Sequence, residues 1–396
     1  MSDRDDVSQP KRTPLTAVHE RLGATLTDFA GWLMPLRYGS ELAEHKSVRS
    51  AAGLFDLSHM GEISVTGQDA AAALDYSLVG DMSGLAPGRA RYTVICAPDG
   101  GVLDDLIVYR LGDSEFLVVA NASNAPAVYD ELRQRASRYS ATVTDRTQDY
   151  ALVAIQGPAA AGILASLTDT ELGSVRYYTG HAANVAGHKV LLARTGYTGE
   201  DGFELFTRPE DAEPLWAALT EAGTPSGLEP AGLAARDTLR LEAGMALYGN
   251  ELGPETTPFD AGLGRVVKFS KPGDFVGRAA LAELDGAPPR QVLTGLTLGS
   301  RRVPRHGYTV LWDGQPCGTV TSGAPSPTLG KPIAMAYLDP AVAQQAQDSV
   351  AAGNSPAAGD STAASDGATA GRLAVDIRGR AEPATIVPLP FYRRPA

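Results

Sequence analysis

Apolar and polar residues alternate most regularly between positions 92 and 120. Three apolar runs occur there, separated by turn-forming residues at 98–100 and 112–113. Because successive side chains of a strand point to opposite faces of a sheet, this pattern predicts a three-strand meander. The predicted strands cover 92–97, 102–110 and 115–120, and a helix is predicted at 125–139.

The segments on either side predict two α+β halves with antiparallel sheets. The first half begins with predicted helices at 15–22 and 40–50, on either side of a loop that holds Trp32, and continues with a strand-rich stretch at 54–66. The second half repeats the order roughly, with strands at 150–156, 189–194 and 202–207 and helices at 158–167, 210–222 and 231–243. From 291 onward, short strands punctuated by Gly and Pro predict a separate small barrel or sandwich.

Two segments have the composition of a disordered chain. Residues 1–12 are polar, and residues 341–371 are almost entirely small or polar, so neither buries enough apolar surface to fold alone. We therefore predict a disordered tail at 1–12 and an α+β region at 13–290. A C-terminal domain at 291–396 is expected to contain a disordered insertion at 341–371.

The composition excludes several classes of protein. Of 396 residues, 43% are hydrophobic and 20% are charged, which is typical of globular domains. The formal net charge of −12 argues against non-specific nucleic-acid binding, and no apolar run reaches the length of a membrane span. The acidic start lacks a signal region, so we expect a cytoplasmic protein. Cys96 and Cys317 suggest no disulfide framework, and the six histidines show no metal-ligand spacing, so no metal is expected.

Two adjacent carboxylates, Asp104 and Asp105, interrupt the apolar strand at 102–110. They lie on opposite faces of the strand, each among apolar residues, so both faces are expected to be buried. A buried carboxylate needs hydrogen-bond donors or a cation, or its pKa shifts. Both residues could instead close the turn at 97–101, where Asp is common. Asp105 lies deeper in the apolar run, and we therefore predict that it is the functional carboxylate.

Further carboxylate chemistry is predicted at Glu204, which follows a glycine-rich turn in the segment RTGYTGEDGFEL at 194–205. A phosphate-binding loop is not indicated, because no Lys-Ser/Thr pair and no helix follow the glycines. A carboxylate on a half-buried strand can accept two parallel hydrogen bonds from an amino-pyrimidine edge or from a structural arginine. Both partners remain open for Glu204.

Arg236 and Arg240 lie four residues apart on a predicted helix, where like charges repel. Asp237 can pair with Arg240 at three-residue spacing, which leaves Arg236 to face an anion or acceptor in a cleft. Tyr92, Tyr178 and Tyr197 could supply flat surfaces for an aromatic ligand, although most tyrosines simply pack in a core.

A series of segments resembles the aminomethyltransferase, or T protein, family of the glycine cleavage system. They occur in the family's order and cover roughly 13–340 and 372–394. The segments are DFAGWLMPLRYGS, GLFDLSHMGE, GGVLDDLIVY, QGP at 156–158, RTGYTGEDGFE, GLAARDTLRLEAGMALYG, TSGAPSPTLGKPIA and PFYRR.

The resemblance implies a three-domain, ring-like arrangement of two ferredoxin-like α+β halves and a small C-terminal β-barrel, with tetrahydrofolate in a central opening. It also implies transfer of an aminomethyl group from the lipoyl arm of H protein to tetrahydrofolate, giving 5,10-methylenetetrahydrofolate, ammonia and the dihydrolipoyl arm. The catalytic aspartate falls on Asp105, the pterin-binding glutamate on Glu204 and a folate-binding arginine on Arg236. Positions expected to line the folate site fall on Tyr92, Asn121, Tyr178, Tyr197 and Arg393.

Two other folate-dependent functions fit these segments less well. Related folate-binding proteins implicated in iron-sulfur cluster maintenance lack transferase activity and carry a cysteine in a KGCYTGQE-like loop, whereas the loop at 194–205 here has none. A folate-dependent demethylase fragment would work with a flavin domain, and no flavin-binding glycine motif precedes the folate region. The chain departs from the family pattern at Ala234, where a glycine is usual, and in the insertion at 341–371.

Overall fold

The computed structural model describes residues 9–351 and 372–395 of the chain. The helices are α1 (Thr16–Arg21), α2 (Glu41–Ser50), α3 (Ala70–Ser77), α4 (Ala125–Ala136), α5 (Ala160–Ala165), α6 (Ala212–Gly223), α7 (Leu233–Glu242), α8 (Arg278–Leu284) and α9 (Pro340–Ala351). The strands are β1 (Lys11–Arg12), β2 (Thr25–Phe29), β3 (Trp32–Arg37), β4 (Ala52–Asp56), β5 (Gly61–Thr66), β6 (Ala90–Cys96), β7 (Val102–Gly112), β8 (Glu115–Ala120), β9 (Thr142–Asp145), β10 (Ala151–Gln156), β11 (Gly180–Val185), β12 (His188–Ala193), β13 (Gly202–Thr207), β14 (Leu228–Pro230), β15 (Val292–Leu298), β16 (Thr309–Trp312), β17 (Gln315–Ser326), β18 (Lys331–Leu338), β19 (Leu373–Asp376) and β20 (Ala381–Val387).

Two sheets form the centre of the molecule. One has the strand order β6-β7-β8-β5-β9 and is antiparallel, and the other has the order β11-β12-β13-β10-β4-β14, with β14 parallel to β4. The inner faces pack on each other through a shared core that includes Tyr109, Val119, Leu152 and Phe206. Helices α3 and α4 cover the outer face of the first sheet, and α1, α5 and α6 cover that of the second. Alternation along each strand therefore sends one set of side chains under the helices and the other set between the sheets.

A closed barrel with the order β15-β18-β17-β16-β19-β20 follows. Helix α7 joins it to the sheets: Ala235 and Leu239 pack in the core between the sheets, and Leu241 packs against Ile333 and Met335 of the barrel. These features confirm the predicted fold class of two α+β halves with mainly antiparallel sheets and a small C-terminal β-barrel.

A buried ion network fastens the C-terminal segment to this junction. Arg49 of α2 donates to Glu242 of α7, with Nη2 2.9 Å from Oε2, and to Glu200, with Nη1 2.9 Å from Oε1. The ring of Tyr392 covers the same guanidinium at 4.1 Å, and its backbone N–H donates to the Glu242 carbonyl oxygen at 2.8 Å. Because Leu389 lies just before this anchor, the network also fixes one wall of the cavity described below.

Three predicted segments differ from the structure. Lys11–Arg12 of the predicted tail forms β1, which pairs in parallel with β3, while residues 1–8 lie outside the described residues. The predicted loop around Trp32 is a β2–β3 hairpin. Residues 341–351 of the predicted insertion belong to α9, because Ala343 and Ala346 lie three residues apart and pack together into the barrel core. The rest of that insertion, 352–371, lies outside the described residues.

Among the helices of residues 9–351 and 372–395, none combines the length and apolar character needed to cross a membrane.

Candidate active site

A cavity of about 590 Å³ lies between the two sheets and opens toward α7 and the barrel. Strands of both sheets, α7, the loop at 244–248 and Leu389 form its walls. Most of the predicted site residues line this one cavity. They are Tyr92, Asp105, Asn121, Tyr178, Tyr197, Glu204 and Arg236.

Asp105 reaches the cavity because successive side chains of β7 point to opposite faces of the sheet. Leu106 and Val108 point to the core under α3 and α4, whereas Asp105, Ile107 and Tyr109 point between the sheets. The expectation that both faces are buried holds only in part for the Asp105 face: Asp105 and Ile107 are half-buried because they line the cavity, whereas Tyr109 is 1% exposed. The Tyr92 hydroxyl donates to Asp105 Oδ2 at 3.1 Å, and Asn121 Nδ2 donates to Oδ1 at 2.8 Å. Burial raises the pKa of Asp105, and these two hydrogen bonds oppose the rise.

Asp104 points away from the cavity and is fully buried at the start of α4. It accepts hydrogen bonds from the backbone N–H of Asn121 at 3.0 Å and from Asn124 Nδ2 at 2.9 Å. Burial, and then the charge of Asp105, raises the pKa of Asp104 to about 7. Neither aspartate closes the preceding turn, because Asp99 does so by accepting from the Gly101 N–H at 3.0 Å.

Glu204 projects between the sheets from β13, while Phe203 and Leu205 point to the core on the other side. Its Oε2 accepts from the hydroxyls of Thr195 and Tyr109, the second at 3.3 Å. Within the described part of the chain, Oε1 receives no hydrogen bond and is not sealed from the cavity. Burial raises the pKa of Glu204, against the hydrogen bond from Thr195 and the charge of Arg236. A structural arginine does not occupy this carboxylate, which leaves one oxygen for a ligand.

The two arginines of α7 have separate surroundings, as predicted. Arg240 pairs with Asp237 at 2.8 Å and with Glu251 at 3.0 Å. Arg236 lines the cavity over the Tyr197 ring, and it forms no ion pair with a carboxylate of residues 9–351 or 372–395. Burial lowers the pKa of Arg236, whereas Tyr197 and Glu204 oppose the change.

Five tyrosines of the described chain line the cavity: the predicted Tyr92, Tyr178 and Tyr197, together with Tyr109 and Tyr248. Tyr197 donates its hydroxyl proton to the Ala246 carbonyl oxygen, and Tyr178 has a φ of +59°, in the left-handed region that residues with a Cβ rarely adopt. Burial raises the pKa of Tyr92, Tyr178 and Tyr197, so their hydroxyls stay protonated. Tyr92 and Tyr197 already donate this proton, to Asp105 and to the Ala246 carbonyl oxygen, so they offer a ligand their ring faces. The Tyr178 hydroxyl forms no hydrogen bond within the described chain and can also donate to a ligand.

Sequence reasoning missed His59, a cavity residue whose side chain is only 3% exposed. No group of the described chain bonds its Nδ1, and its ring packs edge-on against Phe29 at 5.6 Å. Burial, and then the charge of Arg236, lowers the pKa of His59 to about 4, so the ring is neutral at pH 7. The available signal was its place in the motif GLFDLSHMGE beside Met60, another lining residue.

Arg393 is exposed and is not among the residues that line the cavity. Its neighbour Arg394 lies 3.7 Å from Asp201. The structure therefore does not bring Arg393 together with the other predicted site residues.

The cavity offers a defined set of chemical groups. Glu204 presents a free carboxylate oxygen, Arg236 an uncommitted guanidinium, and the tyrosines present aromatic faces. This set suits a flat heteroaromatic molecule with an amino-pyrimidine edge, held so that another of its atoms lies beside Asp105.

Comparisons with known proteins identify two family models in this chain. The "GCVT N-terminal domain" matches residues 15–271, and the "Glycine cleavage T-protein C-terminal barrel domain" matches residues 291–393. Curated aminomethyltransferases from Streptomyces avermitilis and Saccharopolyspora erythraea are 61% and 58% identical to it. These alignments cover 97% and 98% of this chain and 98% and 100% of the relatives. The crystal structure of glycine cleavage system aminomethyltransferase T from Bartonella henselae superposes with a TM-score of 0.85 at 35% identity, covering 98% of this chain and 99% of that one.

Proposed function

The chain belongs to the glycine cleavage T-protein family, and we propose that its central cavity binds tetrahydrofolate and carries out aminomethyl transfer. The transferred carbon comes from the lipoyl arm of H protein, which is the proposed transient partner. The products are 5,10-methylenetetrahydrofolate, ammonia and the dihydrolipoyl arm. One observation carries the assignment of the site: the catalytic, pterin-binding and folate-binding positions implied by the resemblance line the same cavity.

The cavity residues fit tetrahydrofolate. The free oxygen of Glu204 can accept from the amino-pyrimidine edge of the pterin, and the fixed position of Oε2 on Thr195 and Tyr109 sets the direction of that oxygen. Arg236 can donate to an acceptor of the same ring system, because the described carboxylates leave it unpaired. The aromatic rings of Tyr178 and Tyr197 supply stacking surface.

Asp105 is the proposed catalytic residue. Tetrahydrofolate supplies the nucleophilic nitrogen, and positive charge develops at the transferred carbon as ammonia leaves. A carboxylate held in place before the reaction stabilises such charge without reorganising. Tyr92 and Asn121 hold both oxygens of Asp105, and because burial raises its pKa, this carboxylate is a stronger proton acceptor than an ordinary one.

The non-catalytic folate-binding alternative is not favoured. The loop at 194–205 has no cysteine, and the relatives that match nearly the whole chain are named aminomethyltransferases. The proposal places the protein in the cytoplasm, in tetrahydrofolate-dependent one-carbon metabolism. No cofactor other than the folate co-substrate is invoked.

The first experiment is transfer from purified aminomethylated H protein, with and without tetrahydrofolate. Ammonia release and methylenetetrahydrofolate formation are followed together, and both are expected to require tetrahydrofolate. Binding of tetrahydrofolate without formation of either product would refute the transferase and support the non-catalytic alternative.

A further inference from the structure

The side chain of Asn121 connects the two adjacent aspartates. Its Nδ2 lies 2.8 Å from Asp104 Oδ1 and 2.8 Å from Asp105 Oδ1, although the two carboxylates point to opposite faces of β7. An amide nitrogen carries two hydrogens, so one is donated to each aspartate. Asn121 is therefore a bridge between a buried carboxylate and the carboxylate in the cavity.

The two aspartates also fix the orientation of the Asn121 side-chain amide. Turning it over would place its Oδ1 against two carboxylate oxygens, with no hydrogen between them. With both Nδ2 hydrogens used, the group that Asn121 can offer to a molecule in the cavity is the acceptor Oδ1. A ligand atom bound there must be a donor.

Asp104 is the fixed end of this bridge. It is 0% exposed, and its second oxygen accepts from the Asn121 backbone N–H at 3.0 Å. Asn124 Nδ2 donates to its first oxygen at 2.9 Å. These bonds lie at the N-terminus of α4, where the helix dipole favours a negative charge.

From this geometry we propose that Asp104 is a positioning residue, which acts on aminomethyl transfer through Asn121. Asp104 holds the Asn121 amide with one hydrogen on Asp105 and the carbonyl toward the folate. The inference rests on the proposed function of the cavity, but it assigns a role to a residue that does not line it.

The substitution Asp104→Asn tests this role because it keeps the size of the side chain. All the groups that surround Asp104 through hydrogen bonds in the described chain are donors, so an amide NH₂ in either orientation meets a donor. The variant therefore loses part of the fixed network. We expect kcat to fall at least about tenfold, since the orientation of the Asp105 carboxylate is disturbed.

A double-mutant cycle with Asn121→Ala separates this role from a structural one. If Asp104 acts through Asn121, Asp104→Asn should change kcat by less than about twofold once Asn121 is already Ala. Independent, multiplying effects would overturn the inference, as would unchanged kcat in a folded Asp104→Asn variant. If Asp104→Asn does not fold, Asn121→Ala alone tests the inference, because it removes the bridge and keeps Asp104 in place. Unchanged kcat in Asn121→Ala would then overturn the inference.

Arg135→Met is the matched control. It removes the buried hydrogen bonds that tie α4 to the carbonyl oxygens of Ser77 and Cys96, but it touches none of Asp104, Asp105 and Asn121. We expect a lower melting temperature and a kcat within about twofold of wild type. A loss of kcat equal to that of Asp104→Asn would mean that general loosening of α4 explains both, which would overturn the inference. Wild-type protein is assayed alongside: absence of folate-dependent transfer there refutes the proposed function itself, whereas an active wild type with unaffected variants refutes only the role of Asp104.

Discussion

The guanidinium carbon of Arg236 lies 4.7 Å from the centre of the Tyr197 ring, so an aromatic face supports the one side of α7 that reaches the cavity. Burial disfavours the charge of this guanidinium, and no described carboxylate neutralises it. A ligand that offers an acceptor to Arg236 therefore gains a charge-assisted hydrogen bond.

Substitution of Arg236 should weaken folate binding in a graded way. Arg236→Lys keeps the charge but loses the planar fork and its stacking on Tyr197, so we expect the Kd for tetrahydrofolate to rise about tenfold. Arg236→Met should raise it further. Fluorescence titration measures both, with Arg133→Met on the exposed side of α4 as the control. Wild-type affinity in Arg236→Met would contradict the assignment.

Glu204→Gln should reduce affinity by about 10- to 100-fold, because a hydrogen bond to a charged group contributes about 1.5–3 kcal/mol. Isothermal titration with tetrahydrofolate measures the change. Glu62→Gln is the matched control, since Glu62 is also a buried strand glutamate but does not line the cavity. Burial raises the pKa of Glu62 well above its usual range, so Glu62→Gln removes a charge that the surroundings already disfavour. Equal affinities of the two variants would count against a pterin contact at Glu204.

Asp105→Asn should separate binding from catalysis. The amide can keep contacts to Tyr92 and Asn121 but carries no charge, so kcat is expected to fall at least about 100-fold. The Kd for tetrahydrofolate should stay within about threefold of wild type. Single-turnover transfer from aminomethylated H protein measures the first quantity and titration the second. Unchanged turnover would refute the catalytic role.

The pKa of Asp104 predicts a pH dependence of stability. Its folded value of about 7 lies above the ordinary 3.8, so the folded protein holds a proton that the unfolded chain has lost between these values. The stabilisation from this proton is complete below about pH 4 and disappears as the pH rises to about 7. Each unit of difference corresponds to about 1.4 kcal/mol.

Urea unfolding of wild type and Asp104→Asn from pH 4.5 to 8 tests this sign. The free energy of unfolding of wild type, relative to the variant, should decline up to about pH 7 and then level off. A relative stability that rises with pH would show that Asp104 is an ordinary, stabilised carboxylate.

Breaking the Arg49 network should be costly. Arg49→Met takes the arginine from the buried carboxylates of Glu200 and Glu242, of which Glu242 keeps its contact with His45 at 3.2 Å. We expect a loss of about 3 kcal/mol in the free energy of unfolding. Arg208→Met removes a similar pair of contacts at the surface, to Glu210 and Asp211, and should cost less than about 1 kcal/mol. Chemical denaturation compares the two, and equal losses would contradict the view that Arg49 anchors the C-terminal segment.

The sequence predicted those site features that depend on local spacing. Repulsion between Arg236 and Arg240, with Asp237 available to one of them, was enough to leave Arg236 free. Two carboxylates within an apolar strand marked Asp104 and Asp105 as candidates, and the greater distance from the turn favoured Asp105. Local sequence did not show which face of β7 lines the cavity. That depends on the second sheet, which packs opposite one face and makes it a cavity wall.

Other features depend on contacts between segments far apart in sequence. His59 has no spacing signal, since its surroundings come from Phe29 and Arg236. Arg393 shares a short motif with Tyr392, but the two differ in their surroundings. The Tyr392 ring stacks on Arg49 of α2, whereas Arg393 is exposed. The alanines of α9 are small, so the helix they form is stabilised only where the barrel packs against them.

Helix α7 presents Arg236 to the cavity, while Arg240 on the next turn donates from Nη2 to Ser322 of the barrel at 2.7 Å. The two regions are thus not exchangeable modules. A chimera that combines these sheets with a barrel from a relative would need a hydroxyl at position 322 and a compatible segment after Leu389. Without both, a barrel that folds well would still leave Arg236 displaced from the cavity wall.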